Sequence, residues 1–231
     1  MTAPVQTLEF ADAREAADLG AFLARLIHYD RAAAVRLQAG GGALAVFGRP
    51  ASFEVLAIRT ARLAVPYALD VTVSAGELLE SVDEPAGSAA VPAAVTGPPW
   101  AGVLPPRGGW RQVPGLPSED AVRGALAAAV AEFRARDERL TPADRTRAER
   151  DRIGREIWSR TLGDTGLPLR AVHAAQSLGF LRPVRVMVPA SATPQEPLAL
   201  LESGAWLRLR TPYGSIAVRR AGLSGLTVTP A

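Results

Sequence analysis

The chain has 231 residues, of which 48% are hydrophobic and 21% charged, with a net charge of +3. That length can fill one large domain or two small ones around a real core. The absence of cysteine excludes disulfides, thiolate nucleophiles and zinc–thiolate sites, and no apolar run is long enough to predict a transmembrane helix.

Residues 1–84 predict a small α/β domain. MTAPVQTLEF lacks the basic and apolar regions of a signal peptide. Asp12 followed by Glu15 has the spacing of a capping box, and Leu19, Phe22, Leu23, Leu26 and Ile27 then recur at helical spacing over 12–29. Ala34 to Gln38 and Ala43 to Phe47 flank Gly40-Gly41-Gly42, which predicts a hairpin. Phe53 to Leu63 and Leu69 to Val73 are further strand candidates. Ser74 and Glu77 form a second capping box opening a helix over 75–82. The unit is read as an antiparallel sheet packed on one or two helices. Its seven arginines against eleven acids give −4, so it is expected to stay away from an anion.

Residues 85–117 contain eight Pro, six Gly and only two charges, the composition of a linker. Yet the segment carries Trp100 and Trp110. Either both rings dock on a neighbouring domain and staple an extended segment to it, or a partner recognises a Pro–aromatic peptide.

Residues 118–231 predict a helical domain with a C-terminal β ribbon. Ser118 is a good N-cap for a helix that carries Val122, Leu126, Val130 and Phe133 on one face to about Arg139. Thr141-Pro142, with Asp144 following, predicts the start of another helix, with Asp151–Arg155 and Glu156–Arg160 as i,i+4 pairs and apolar residues from Ile153 through Leu162. After the turn GDTGLP, Pro168 opens a helix to Leu178 that Gly179 ends in the left-handed conformation. Phe180 to Val188 reads as a strand, followed by an excursion over 189–205. Trp206–Arg210 and Ser215–Arg219 alternate with period two about Thr211-Pro212-Tyr213-Gly214. Leu207, Leu209, Ile216 and Val218 are expected to face a core, leaving Trp206, Arg208, Arg210 and Arg219 on the other face.

The run RAVHAAQSLGFLR resembles the end of a recognition helix in winged-helix proteins, with Arg152–Leu162 as the scaffold helix before it. The resemblance implies that Arg170, His173, Gln176 and Ser177 could reach bases. The chain as a whole resembles uncharacterised proteins of similar length from high-GC actinobacteria, in its Arg- and Ala-rich style and in segments such as DVTVSAGELLESV and VTGPPWAGVLPPRGGW. That resemblance implies no activity. The expected fold class is α+β: a small N-terminal antiparallel sheet with helices, a Pro/Gly-rich linker, and a helical part ending in a winged-helix-like hairpin.

Charge directs the functional reading. Residues 165–231 hold seven Arg against Glu196 and Glu202, a charge of +5, and both acids precede the ribbon. The expected function is non-enzymatic binding of a nucleic-acid backbone through Arg170, His173, Gln176, Arg182, Arg185, Trp206, Arg208, Arg210, Arg219 and Arg220. The alternative is an interaction or assembly module for an acidic protein surface, and behind it an enzyme on an anionic small molecule. The chain contains no Lys, which excludes a P-loop and lysine Schiff-base chemistry, and its two histidines lack metal-site spacing. No metal, cofactor or membrane is expected, the cytoplasm is the expected compartment, and homo-oligomerisation is left open.

Overall fold

Asp12 sets where the first long helix begins. Its carboxylate accepts from the backbone N–H groups of Arg14 (2.9 Å) and Glu15 (3.1 Å), and α1 runs over Ala13–Tyr29. The computed structural model describes residues 6–97, 100, 104–182 and 197–220. Among these, five α-helices and eleven β-strands make a mixed α+β fold. On α1 the buried residues are Ala16, Leu19, Gly20, Phe22, Leu23 and Leu26, the stripe that the sequence spacing predicts.

The N-terminal strands follow the predicted hairpin. β2 (Ala34–Gly40) and β3 (Ala43–Gly48) turn through Gly41, whose φ of +64° suits glycine. The next strand is shorter than expected. Residues 51–53 form a 3-10 turn and Glu54 takes a left-handed φ of +52°, so β4 spans only Leu56–Arg62. β5 (Leu69–Ser74) leads into α2 (Ala75–Ser81), capped by Ser74 Oγ accepting from Glu77 N–H at 3.4 Å. A small sheet in the order β1 (Thr7–Glu9), β7 (Ser88–Ala90), β6 (Val82–Asp83) was not anticipated, because strands of two or three residues carry no periodicity.

After the short strand β8 (Arg111–Gln112), α3 spans Glu119–Glu138 behind its Ser118 cap, as expected. The following helix starts later than the sequence suggests. Thr141 and Asp144 close a turn on each other, and α4 (Arg147–Ser159) begins where Thr146 Oγ1 accepts from Glu149 N–H at 3.2 Å. Asp151 pairs with Arg147 at 3.8 Å rather than with Arg155, while Glu156 and Arg160 meet at 3.1 Å. α5 (Leu169–Ser177) is followed by Gly179 at φ +76°. The expected strand from Phe180 is a turn as far as Arg182. Phe180 dives into the core and stacks on Phe22 with centroids 5.6 Å apart. Residues 183–188 of that expected strand, and Arg185 with them, lie outside the described residues.

Strands from the predicted N- and C-terminal units lie in one sheet. β9 (Ala199–Ser203), β10 (Trp206–Thr211) and β11 (Gly214–Arg219) join the N-terminal strands in one antiparallel sheet of order β5-β2-β3-β4-β11-β10-β9-β8. The seam is β11 against β4, with Ser215 opposite Ile58 and Ala217 opposite Leu56. The C-terminal hairpin is therefore an interior part of that sheet. The connectivity repeats across the seam. α1 precedes the meander β2–β3–β4 as α5 precedes β9–β10–β11, with β5 and β8 at the outer edges. Because the last strands of the two meanders meet antiparallel, the halves have the topology of a two-fold pair.

One face of this sheet carries Val35, Leu37, Leu44, Val46, Leu207, Leu209, Ile216 and Val218 into the main core. α1 packs there on β4 and α5 on β11, with α3 and α4 laid against α5. Burying each such aliphatic side chain contributes about 1.5–3 kcal/mol.

Candidate functional site

The opposite face of the sheet is crossed by the Pro/Gly-rich segment. Ala94 bridges Val73 and Val95 N–H donates to Thr72 O at 2.9 Å, which attaches the segment to edge strand β5. At the far edge Arg111 and Gln112 pair with Glu202 and Leu201, and Val113 N–H donates to Leu200 O at 2.8 Å. Between these ends Trp100 is buried in a second apolar cluster with Phe47, Leu56, Ile58, Trp206 and Ala217, and Leu104 and Trp110 pack beside it. The described part of the segment is thus a strap across the sheet. A Cβ on Gly97 would lie 2.5 Å from Thr72 Cγ2, so only glycine permits this approach to β5. Ser203 Oγ donates to Gly108 O at 3.2 Å and Trp110 Nε1 donates to Pro106 O at 3.0 Å, which hold the far half of the strap.

The ribbon faces the way its alternation predicts, but its surroundings differ. Leu207, Leu209, Ile216 and Val218 enter the main core, while Trp206, Arg208, Arg210 and Arg219 take the strapped face. Trp206 is buried there, the Arg219 guanidinium lies 5.1 Å from its ring centre, and that of Arg208 lies 5.6 Å from Trp110. Arg208 and Arg210 are half-buried and Arg219 is exposed. Just past the ribbon, Arg220 pairs with Glu202 on β9, as does Arg111 at 3.2 Å.

The residues of the resembled recognition helix divide between core and surface. α5 buries Leu169, Ala171, Val172, Ala174 and Ala175. His173 stacks on Trp158 with centroids 4.4 Å apart and meets Phe53 edge-on at 5.1 Å. Burial holds its pKa below the ordinary histidine value. Arg170 is half-buried, with its Nε enclosed and without a hydrogen-bond partner among the described residues. Gln176 is exposed and Ser177 half-buried. Arg182 turns back to α1, pairing with Asp18 and covering the Tyr213 ring at 3.8 Å from its centre. The structure therefore gathers Trp206, Arg208, Arg210 and Arg219 on one face and leaves Arg170, His173, Gln176 and Arg182 on the helical side.

Two grooves flank the strap. The first, about 610 Å³, has a floor of Ala45, Phe47 and Ile58, a wall of Pro105 and Pro106, and Arg107 and Arg208 among its lining cations. Gln38 and Thr60 add hydrogen-bonding groups. Asp70, the one acid among its described lining residues, is held by Arg36 at 2.8 Å. Arg107 is exposed and has no ion pair among the described residues. The second groove, about 750 Å³, runs between Gly97 and the β3–β4 connection, with Arg49, Arg219, Asp30 and Glu54 at its edges. The floor of the first groove comes from β3 and β4, in the 1–84 region that the charge count set apart from any anion. The overlooked signal was local: Leu56-Ala57-Ile58 and Ile216-Ala217-Val218 are apolar at consecutive positions, the mark of strands covered on both faces.

Among the described residues no group of three or more His, Asp or Glu side chains could hold a metal ion, and no helix is long and apolar enough to cross a membrane. Residues 105–223 match the family described as domain of unknown function DUF8185, and residues 3–102 match domain of unknown function DUF8010. The first match spans just over half of the 231 residues, and the chain belongs to the DUF8185 family. The two matches meet within the strap, while β4 and β11 join them in one sheet. No curated protein and no solved structure matches the chain.

Proposed function

We propose that this DUF8185-family protein is a cytoplasmic, non-enzymatic binding module that takes an acidic, partly apolar segment of a partner protein in the first groove. The reading is carried by one observation: an apolar floor of Ala45, Phe47 and Ile58 shares a trough with Arg107 and Arg208. Carboxylates of the partner suit the guanidinium forks, and an apolar side chain suits the floor. Gln38 and Thr60 supply groups for peptide N–H and C=O. A nucleic-acid backbone, the partner that charge alone suggests, would use the cations and leave the floor uncovered. Base stacking would need open aromatic faces, whereas Trp100 and Trp206 are buried and Trp110 lies under Arg208.

Fluorescence anisotropy with short peptides alternating Glu and Leu, set against single-stranded DNA of equal charge, tests the reading. The peptide is expected to bind more tightly than the DNA. Arg107→Gln should weaken peptide binding about tenfold, the share of one charge-assisted contact. DNA binding that is tighter than peptide binding, with a salt slope near −0.9 per phosphate contact, would overturn it in favour of the nucleic-acid reading.

A further inference from the structure

The second groove lies at one end of the sheet. There the α1–β2 turn, the β3–β4 connection and the paired ends of β10 and β11 come together beside the strap. At about 750 Å³ it has the size of a small-molecule site. Val55, Leu56, Trp206 and Ala217 give it an apolar lining. Two acids and two bases also line it: Asp30, Glu54, Arg49 and Arg219.

Three of these charges are not neutralised from within. Asp30, Glu54 and Arg49 have no ion-pair partner among the described residues, whereas Arg–carboxylate pairs tie α3 to α4. Asp30 Oδ1 accepts from Ala32 N–H at 3.0 Å, which fixes the carboxylate in its turn. Asp30 also ends α1, its N–H donating to Leu26 O at 3.1 Å, so the partial negative charge of the helix C-terminus adds to its own. Arg31, next in the sequence, is not among the residues that line the groove. Glu54 is the one non-glycine residue with positive φ among the described residues, at +52°, and its side chain is exposed. A backbone conformation that favours glycine is thus held with a carboxylate at the groove's edge. Arg49 is exposed on the same connection, and the Arg219 guanidinium lies 5.1 Å from the Trp206 ring centre.

We propose that this groove binds a small zwitterion with an apolar body, of the class of short apolar peptides with free ends. Asp30 and Glu54, at the negative end of α1, take its ammonium. The Arg49 guanidinium takes its carboxylate, and Leu56, Trp206 and Ala217 take its side chains. A purely anionic ligand would meet the two carboxylates and a purely cationic one the two guanidiniums, so the balance of sign selects a molecule carrying both. The first groove is on the other flank of the strap and shares no lining residue with this one, so the inference stands independently of the acidic-segment reading.

Isothermal titration calorimetry of the full chain with trileucine, N-acetyl-trileucine and trileucine amide tests the inference. The free peptide is expected to bind. Acetylation, which removes the ammonium, and amidation, which removes the carboxylate, should each weaken it about tenfold. Glu54→Gln should shrink the acetylation effect at least about threefold and leave the amidation effect, and Arg49→Gln should do the reverse. Both side chains are exposed, and the comparison of free with blocked peptides in the unaltered protein holds even if a variant fails to fold. Arg107→Gln, in the first groove, should leave trileucine binding unchanged. No binding at millimolar trileucine, equal affinity for free and blocked peptides, or loss of trileucine binding in Arg107→Gln would overturn the proposal.

Discussion

Replacing Trp100 by Ala tests whether the strap is part of the fold or a passive linker. Trp100 is 8% exposed and packs against Phe47, Leu56, Ile58 and Trp206. An indole buries about 200 Å², and at about 25 cal/mol per Å² this is worth about 5 kcal/mol. The alanine methyl returns a part, so the expected loss is about 3–5 kcal/mol, the range for large aromatic truncations in cores. Collapse of the strap into the space is opposed by its backbone bonds to Thr72 and Leu200 on either side. For a chain of this size each kcal/mol moves the midpoint by about 2–4 °C, so a fall of about 6–20 °C is expected in thermal unfolding followed by circular dichroism. Trp100→Phe should cost far less. The indole Nε1 has no hydrogen-bond partner among the described residues, so phenyl loses area but no bond. Val95→Ala, at a side chain 37% exposed, should stay within about 0.5 kcal/mol. A Trp100→Ala midpoint as little shifted as that of Val95→Ala would refute the docked strap.

Gly214→Ala should destabilise by about 1–3 kcal/mol in urea titration, because its Cβ would lie 2.6 Å from two carbons of the buried Phe180 ring; a neutral result would show that the ring can yield. His173, held below its ordinary pKa by burial, binds fewer protons folded than unfolded, so its contribution is complete above about pH 6.5 and is lost as pH falls through the lowered value. His173→Phe should remove that part of the pH dependence, and the parent protein should show quenching of Trp158 as the imidazole charges. On α3 and α4, Arg160 and Arg136 bonds hold Glu132 below the usual carboxylate range, and Arg136 and Arg160 bring Glu156 to about 2. The pairing therefore contributes above about pH 4 and is lost as pH falls toward 2, and hydrogen exchange should show these two helices loosening first in acid, less distinctly in high salt.

Several helix ends and the facing of the ribbon were legible in the sequence. Asp12, Ser74 and Ser118 cap helices where their side-chain oxygens reach an N–H two or three residues ahead, and Gly179 ends α5, because each is decided within one helical turn. Alternation also settled which ribbon residues point toward the main core and which away from it. Where a competing local bond existed, as at Thr141 and Thr146, the boundary moved by a few residues. The docked linker was one of the two readings the sequence offered, but that β4 pairs with β11, which strands the linker crosses, and how α5 packs were settled by tertiary contacts. Strand pairing is made by backbone groups that every residue shares, so side-chain identity does not name the partner; the Arg59–Tyr213 bond across that seam spans 154 positions. The same holds for charge. Seven arginines in the last 67 residues were legible, but whether each meets Glu202, Asp18, a tryptophan face or a groove depends on which strands and turns the fold sets beside it.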